Sequence, residues 1–413
     1  MLKFPRYGTL GMLSFFVNPP LFCKPFCKTK TPLVLGVSVT LLGLTACQPS
    51  NPKQTPNSET VTSGTASTMA STSIQQSNNP NIIIKNTSAS TASTTASQTE
   101  KLDNIITLYT SVDKKNLQLL LSEFSQKTGV QTQIIEDQPM SIMARLQAEG
   151  DHSPADMVLT EDVGVLQNGI KYGLLQPFNA EKANQAVPSR FQDTDAHWLT
   201  LSYFAKVVVF NHKLLTEKDF SSYADLAKEK WYQKLCVTQA SYPSNSSFVV
   251  DLMSQLGDKK TQEVLSGYQN NLTMPVLLND KAVLEAIESG KCQAGLVSSH
   301  HFASYQKAQP KNSLQLAWAN SGYGGVHTNI MAIALPKNAH QPELALKLAE
   351  WLADKEHQGL FASISHTFPV NPQVETSAQL KSWGEFKPSN IAVSEYANKQ
   401  EQAIELMQLA GYR

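Results

Sequence analysis

The chain has 413 residues, enough for two domains of ordinary size, and its 34 lysines and arginines are balanced by 34 aspartates and glutamates. Nothing in that balance suggests a nucleic-acid partner or a polybasic membrane surface. The totals hide a break in composition near residue 100, because the first quarter of the chain looks nothing like the rest.

Residues 32–44, PLVLGVSVTLLGL, form an apolar run behind Lys28 and Lys30 that leads into LTAC. The run is too short for a membrane-spanning helix and has the make-up of an export signal. The small residues before Cys47 resemble a bacterial lipoprotein cleavage box, which makes Cys47 the lipidated first residue of the mature chain; a buried helix with a chance cysteine is the alternative. On the first reading residues 1–47 are the signal. Residues 48–101 are Ser, Thr, Asn, Gln and Ala with few large apolar side chains. Such a segment cannot bury enough surface to offset its ordering entropy, so it is expected to be a disordered tether. About fifty flexible residues reach on the order of 40 Å.

From Leu102 onward strand and helix patterns alternate. NIITLYTS reads as a strand, NLQLLLSEFSQKTG as a helix closed by Gly129, VQTQIIED as a strand, MSIMARLQAEG as a helix closed by Gly150, and ADMVLTED as a third strand. KVVVFN, KLCVTQ, QAGLVSS and TNIMAIAL continue the series. This order predicts an α/β protein with mainly parallel sheets, whose ligands bind at the carboxyl ends of strands. The polar groups expected there are Thr110 and Ser111, Thr160 and Glu161, and Ser298 to His301. The sequence has no Gly-rich phosphate loop, nucleophile elbow, Cys-x-x-Cys or His-Glu-x-x-His motif, so nothing in it calls for an enzyme.

If Cys23 and Cys27 leave with the signal and Cys47 carries lipid, Cys236 and Cys292 remain. Two thiols in an oxidising compartment are expected to pair.

ITLYTS, MARLQAEGDHSPADMVLTEDVGVL, WLTLSYFAKVVVFN, SGKCQAGLVSS, GGVHTNIMAIALPKNA and PVNPQVETSAQLKSWGEFK together resemble the ferric-iron-binding proteins of bacterial ABC importers. The resemblance runs from Ile105 to Arg413. It implies a two-lobe type II periplasmic binding fold with hinge strands between the lobes. The first lobe comprises 102–206 and 328–381, and the second 207–327 and 382–413. It also implies a monomer, held by its lipid on the periplasmic side of a bacterial membrane, that delivers cargo to a permease and its ATPase.

Fe3+ is hard and prefers phenolate and carboxylate oxygens, often with an anion completing its shell. The family's adjacent Tyr-Tyr pair falls on His300 and His301, and its turn glutamate falls on Glu161. The position after the first strand falls on Asp113 and its neighbours. The second-lobe tyrosine falls on or near Ser244, with Tyr242 two residues before it. The resemblance thus implies metal ligation by His300, His301, Glu161, Asp113 and Tyr242, and contacts to a synergistic carbonate or phosphate from Ser241, Ser244, Asn245, Ser246 and Ser298. Imidazoles in place of phenolates suit Fe3+ with added oxygen donors, or another transition-metal ion. Three other readings stand beside it. Glu161 and Asp113 also read as acidic residues at helix starts. The His pair, Tyr203, Tyr242 and Trp318 would equally line a pocket for a small anionic or organic solute. His300, His301 and Glu161 as the metal triad of an enzyme is the remote alternative. His327 is expected to make a structural hydrogen bond.

Overall fold

The computed structural model describes residues 104–319 and 324–413. The signal, Cys47 and the whole of the tether lie outside them.

In the first third of the described chain, β1 (Ile105–Thr110), β2 (Gln131–Glu136) and β3 (Met157–Glu161) alternate with α1 (Lys114–Thr128), α2 (Pro139–Glu149) and α3 (Val163–Lys171). The α1 sequence buries Leu117, Leu120, Leu121 and Phe124, a helical stripe, and stops at Gly129, whose φ of 74° only glycine adopts without strain. β1 lies between β2 and β3 and runs parallel to both. The Ser-Pro-Ala-Asp turn before β3 earns its residues through Asp156. One carboxylate oxygen accepts the Thr107 N–H of β1 (2.9 Å), and the other accepts the His340 and Gln341 N–H groups (2.9 Å each).

The chain continues through β4 (Leu175–Gln176), α4 (Glu181–Asn184), β5 (Trp198–Asn211), β6 (Leu235–Cys236), α5 (Asn245–Leu256), α6 (Asp258–Asn270), α7 (Asp280–Glu288), β7 (Ala294–Ser298), α8 (Ser299–Ala308), β8 (Leu314–Ala317) and β9 (Thr328–Pro336). It closes with α9 (Pro342–Ala353), α10 (Lys355–Ile364), β10 (Phe368–Pro369), α11 (Ala378–Lys381), α12 (Val393–Asn398) and α13 (Gln400–Leu409). No described helix is long and apolar enough to cross a membrane.

β5 organises the molecule. Its first eight residues, Trp198 to Ala205, pair with β9, while Lys206 to Phe210 pair with β7, and β8 joins at Val208 to Asn211. One strand therefore belongs to two groups of strands, and the change falls between Ala205 and Lys206. β9 starts at the same level, Thr328 opposite Ala205, and the Lys206 N–H donates to the His327 carbonyl (3.0 Å). The strand order β2-β1-β3-β9-β5-β7-β6 is mixed rather than mainly parallel, because both long strands run antiparallel to their neighbours. Alternating β and α text predicts parallel pairing correctly for β1–β3 and for β6 with β7, but not for strands that connect two halves. Cys236 and Cys292, both buried, are joined in a disulfide that ties β6 to the approach to β7.

Candidate functional site

Three segments bring the site together. Glu161 is the last residue of β3. Ser298 ends β7, and α8 starts at once, so His300 and His301 both lie in its first turn. Neighbours on a strand would face opposite sides; in a helical turn these two rings lie 3.9 Å apart, centroid to centroid. His300 is buried against Phe204 (4.4 Å), and its Nε2 is 2.7 Å from Oε2 of Glu161, 139 residues away in sequence. His301 has Nδ1 2.9 Å from Oδ2 of Asp280 and 3.4 Å from the Tyr242 hydroxyl.

One ligand atom from each of Glu161, His300 and His301 lies within 4.8 Å of the others. Nδ1 of His300 is buried without a hydrogen-bond partner. A polar atom kept dry and unpaired costs about 1–3 kcal/mol; the ring nitrogen that faces Glu161 is the other one, Nε2. The other described His/acid group, Asp193, Asp195 and His197, sits within one turn and is held by hydrogen bonds from His197 to Asp193.

Charge reinforces the grouping. Burial pushes the Glu161 carboxyl up, but the hydrogen bond and charge of His300, helped by His301, hold it below its ordinary range. Burial, with the nearby His301, lowers His300. Burial also lowers His301, yet its bond to Asp280 and the charges of Glu161 and Asp280 leave it raised. Tyr242 is pushed far up by burial and then by the charges of Asp280 and Glu161, so it faces His301 as a neutral phenol.

Among the expected ligands, Asp113 stands apart from the others. Its exposed carboxylate accepts the Asn116 N–H (2.9 Å) as the cap of α1, outside the group formed by Glu161 and the histidines. The anion residues divide. Ser241, Ser244 and Ser246 line a cleft of about 490 Å³ shared with Asp162, Tyr242 and Gln400. Asn245 is committed to structure, its amide donating to Thr238 Oγ1 (2.9 Å) and the Gln239 carbonyl (2.8 Å). Ser298 offers no free amide, because its N–H donates to Asp280 Oδ2 (2.8 Å). Of the aromatics considered for a solute pocket, Tyr203 stacks between Phe191 and Phe368, and Trp318 stacks on Phe386. His327 is buried beside Asp251, Nδ1 to Oδ2 3.5 Å, in place of a well-formed hydrogen bond.

Two functional neighbours escape sequence reasoning. Asp280, buried at the start of α7, orients His301; Lys206, buried in β5, donates to Asn245 Oδ1 (3.0 Å). The only local signal is an Asn-Asp pair at a helix start and a lysine inside an apolar strand.

A mixed α/β fold with two long connecting strands, and with polar donors gathered from separate strand ends beside a cleft, has the architecture of a ligand-capturing binding protein. The chain belongs to the bacterial extracellular solute-binding proteins, whose family profile matches residues 120–388. It is 27% identical over 315 residues to iron uptake protein A1 of Synechocystis, covering 75% of this chain and 87% of that one. It is 24% identical to the major ferric iron-binding protein of Neisseria meningitidis serogroup B, covering 75% and 93%. Its fold matches a Trichodesmium protein solved in complex with iron and citrate ligands, with a TM-score of 0.70, 29% identity, and 75% and 100% coverage. A Mannheimia haemolytica ferric iron-binding protein A in an open conformation matches with a TM-score of 0.67 and 26% identity, covering 75% and 99%. The fold is therefore the two-lobe one of periplasmic ferric-binding proteins.

Proposed function

We propose that this protein captures a transition-metal ion, iron first among them, between two lobes and hands it to the permease of a bacterial ABC importer. His300, His301 and Glu161 are the ligands, with the Tyr242 hydroxyl beside them. Ser241, Ser244 and Ser246, at the start of α5, supply contacts for a carbonate or phosphate. The lobes divide at residues 206, 327 and 381. Supporting that division, β5 changes partners at Ala205 and Lys206, and β9 begins at Thr328. Hinge closure of this kind turns ligand occupancy into a shape a transporter can read. The protein acts as a lipid-anchored monomer on the periplasmic side of the membrane, tethered through Cys47.

The observation that carries the reading is the convergence of Glu161, His300 and His301, whose ligand atoms lie within 4.8 Å of one another. The relatives point the same way, since those named above are described as iron-binding or iron-uptake proteins. A second reading, a small anionic or organic solute without metal, draws on the roughly 490 Å³ cleft beside Tyr242. Calorimetric titration with ferric, ferrous, zinc and manganese ions separates the two. Under the metal reading a ligand at 100 times its dissociation constant stabilises the fold by about 2.7 kcal/mol, and the His300→Ala/His301→Ala variant loses most of that gain. Equal metal binding by the double variant would give the cleft to the solute. The tether is tested separately: Cys47→Ala is expected to abolish lipid attachment, and unaltered membrane fractionation of that variant would refute it.

A further inference from the structure

Lys206 is the only buried lysine or arginine among the described residues, 2% exposed, in a strand otherwise apolar around it. Its backbone is fixed at the partner change of β5: the N–H donates to the His327 carbonyl, and its own carbonyl accepts the Tyr223 hydroxyl (2.6 Å). Among the described residues its ammonium bonds only to neutral oxygens, Asn245 Oδ1 at 3.0 Å and Ser244 Oγ at 3.5 Å. A buried cation outside an ion pair is costly to keep. Burial pulls its pKa below the ordinary lysine value, and the more distant Asp280, Asp162 and Glu161 act in the opposite sense, so its charge belongs to the same field as the proposed metal ligands.

The Tyr242 ring spans the gap between the two. Its centroid is 6.0 Å from Lys206 Nζ, and its hydroxyl is 3.4 Å from His301 Nδ1. The donor set is two imidazoles and one carboxylate. That set suits divalent first-row ions, whereas a trivalent ion needs several anionic oxygens. With Asp280 adding one negative charge behind His301, and Lys206 adding one positive charge behind Tyr242, the surroundings favour a small ionic charge.

We propose that Lys206 is a specificity-determining residue behind the metal ligands, and that its positive charge, held by Asn245 and Ser244, selects a divalent cation over a trivalent one. The proposal rests on the metal reading above. A unit charge on the order of 10 Å away, at an effective dielectric constant of about 20, weakens binding by roughly tenfold for each extra charge on the ion. Lys206 does not touch the ion; it acts on ionic charge alone and spares donor geometry.

The test compares Zn2+ with Ga3+, a redox-inert trivalent probe supplied as its nitrilotriacetate complex, by competition titration of the mature protein. Wild type is expected to prefer Zn2+ after correction for the chelator. Lys206→Met should raise the Ga3+/Zn2+ affinity ratio on the order of tenfold, Lys206→Gln should do the same with a hydrogen-bond donor retained, and Lys206→Arg should keep the wild-type ratio. An unchanged ratio in a folded Met or Gln variant would overturn the proposal; so would an equal loss of both ions, which would make Lys206 the partner of a bound anion. If His300→Ala/His301→Ala binds Zn2+ as wild type does, the metal site itself fails and selectivity by Lys206 falls with it.

Discussion

Asp280 holds His301 by the same oxygen that holds the end of β7: Oδ2 lies 2.9 Å from the imidazole Nδ1 and accepts the Ser298 N–H at 2.8 Å. The carboxylate thus sets the ring's orientation and leaves Nε2 for a ligand, the arrangement that carboxylates behind metal-binding histidines commonly provide. Asp280→Asn keeps an acceptor for Ser298 but removes the charge. Metal affinity should fall about 10–100-fold with little change in melting temperature. Asp280→Ala should add about 1–3 kcal/mol of instability, because the buried Ser298 N–H then has no acceptor. Calorimetry and denaturant titration of the two variants read these effects separately, and equal metal affinity in Asp280→Asn would remove Asp280 from the site.

The same pair gives the metal-free protein a two-sided pH profile. Burial pushes the Asp280 carboxyl up, but the His301 hydrogen bond, the charges of Lys206 and His301, and the Ser298 N–H bring it down to about 2. A depressed carboxyl contributes stability that is full above its unfolded value, near 3.9, and is lost as pH falls through about 2. That contribution is on the order of 2 kcal/mol. His301 has the opposite sign. Its raised value gives stability that is full below about 6.5 and is lost as pH rises through the folded value. Melting curves of metal-free protein between pH 2 and 9 should show both limbs, and Asp280→Asn should flatten both. Parallel profiles for wild type and variant would refute the coupling.

Local pattern carried the reading of β1 to α3 and of the strand that ends before the histidines, because period and capping residues are written in neighbouring positions. It also led to Glu161, His300 and His301. What local pattern lacks is the partner across the fold. Asp280 is 21 residues from His301 and looks like any acidic residue at a helix start, yet a tertiary contact makes it an orienting group. Lys206 reads as an interruption in an apolar strand until its place at the partner change of β5 is known. Asp113 shows the complementary case. Its place after the first strand matched a ligand position in related sequences, but in this chain the carboxylate satisfies the first turn of α1.

Cys236 and Cys292 are 56 residues apart and their disulfide closes the segment containing α5, α6 and α7. Chain entropy gives such a link about 4 kcal/mol. The Cys236→Ala/Cys292→Ala variant should unfold at correspondingly lower denaturant, and reductant should shift wild type but not the variant. Coincident unfolding curves for the two proteins would show that the link contributes nothing measurable.

Tyrosines reintroduced at the histidine pair should behave unequally, because the two positions differ in room. His300 is enclosed by Phe204 and the His301 ring, whereas the His301 side chain is 35% exposed. A larger ring at 300 overpacks the enclosure, so His300→Tyr should cost about 1–3 kcal/mol. His301→Tyr has space to rotate outward and should fold nearly as well as wild type, though it gives up the bond to Asp280. A phenolate there adds an anionic oxygen to a donor set that otherwise has one, which shifts preference toward Fe3+. Adding ferric citrate to His301→Tyr should therefore produce a tyrosinate-to-iron visible band absent from wild type, with a melting temperature above that of His300→Tyr. A colourless His301→Tyr that still binds Fe3+ as tightly as wild type would place the ion away from position 301.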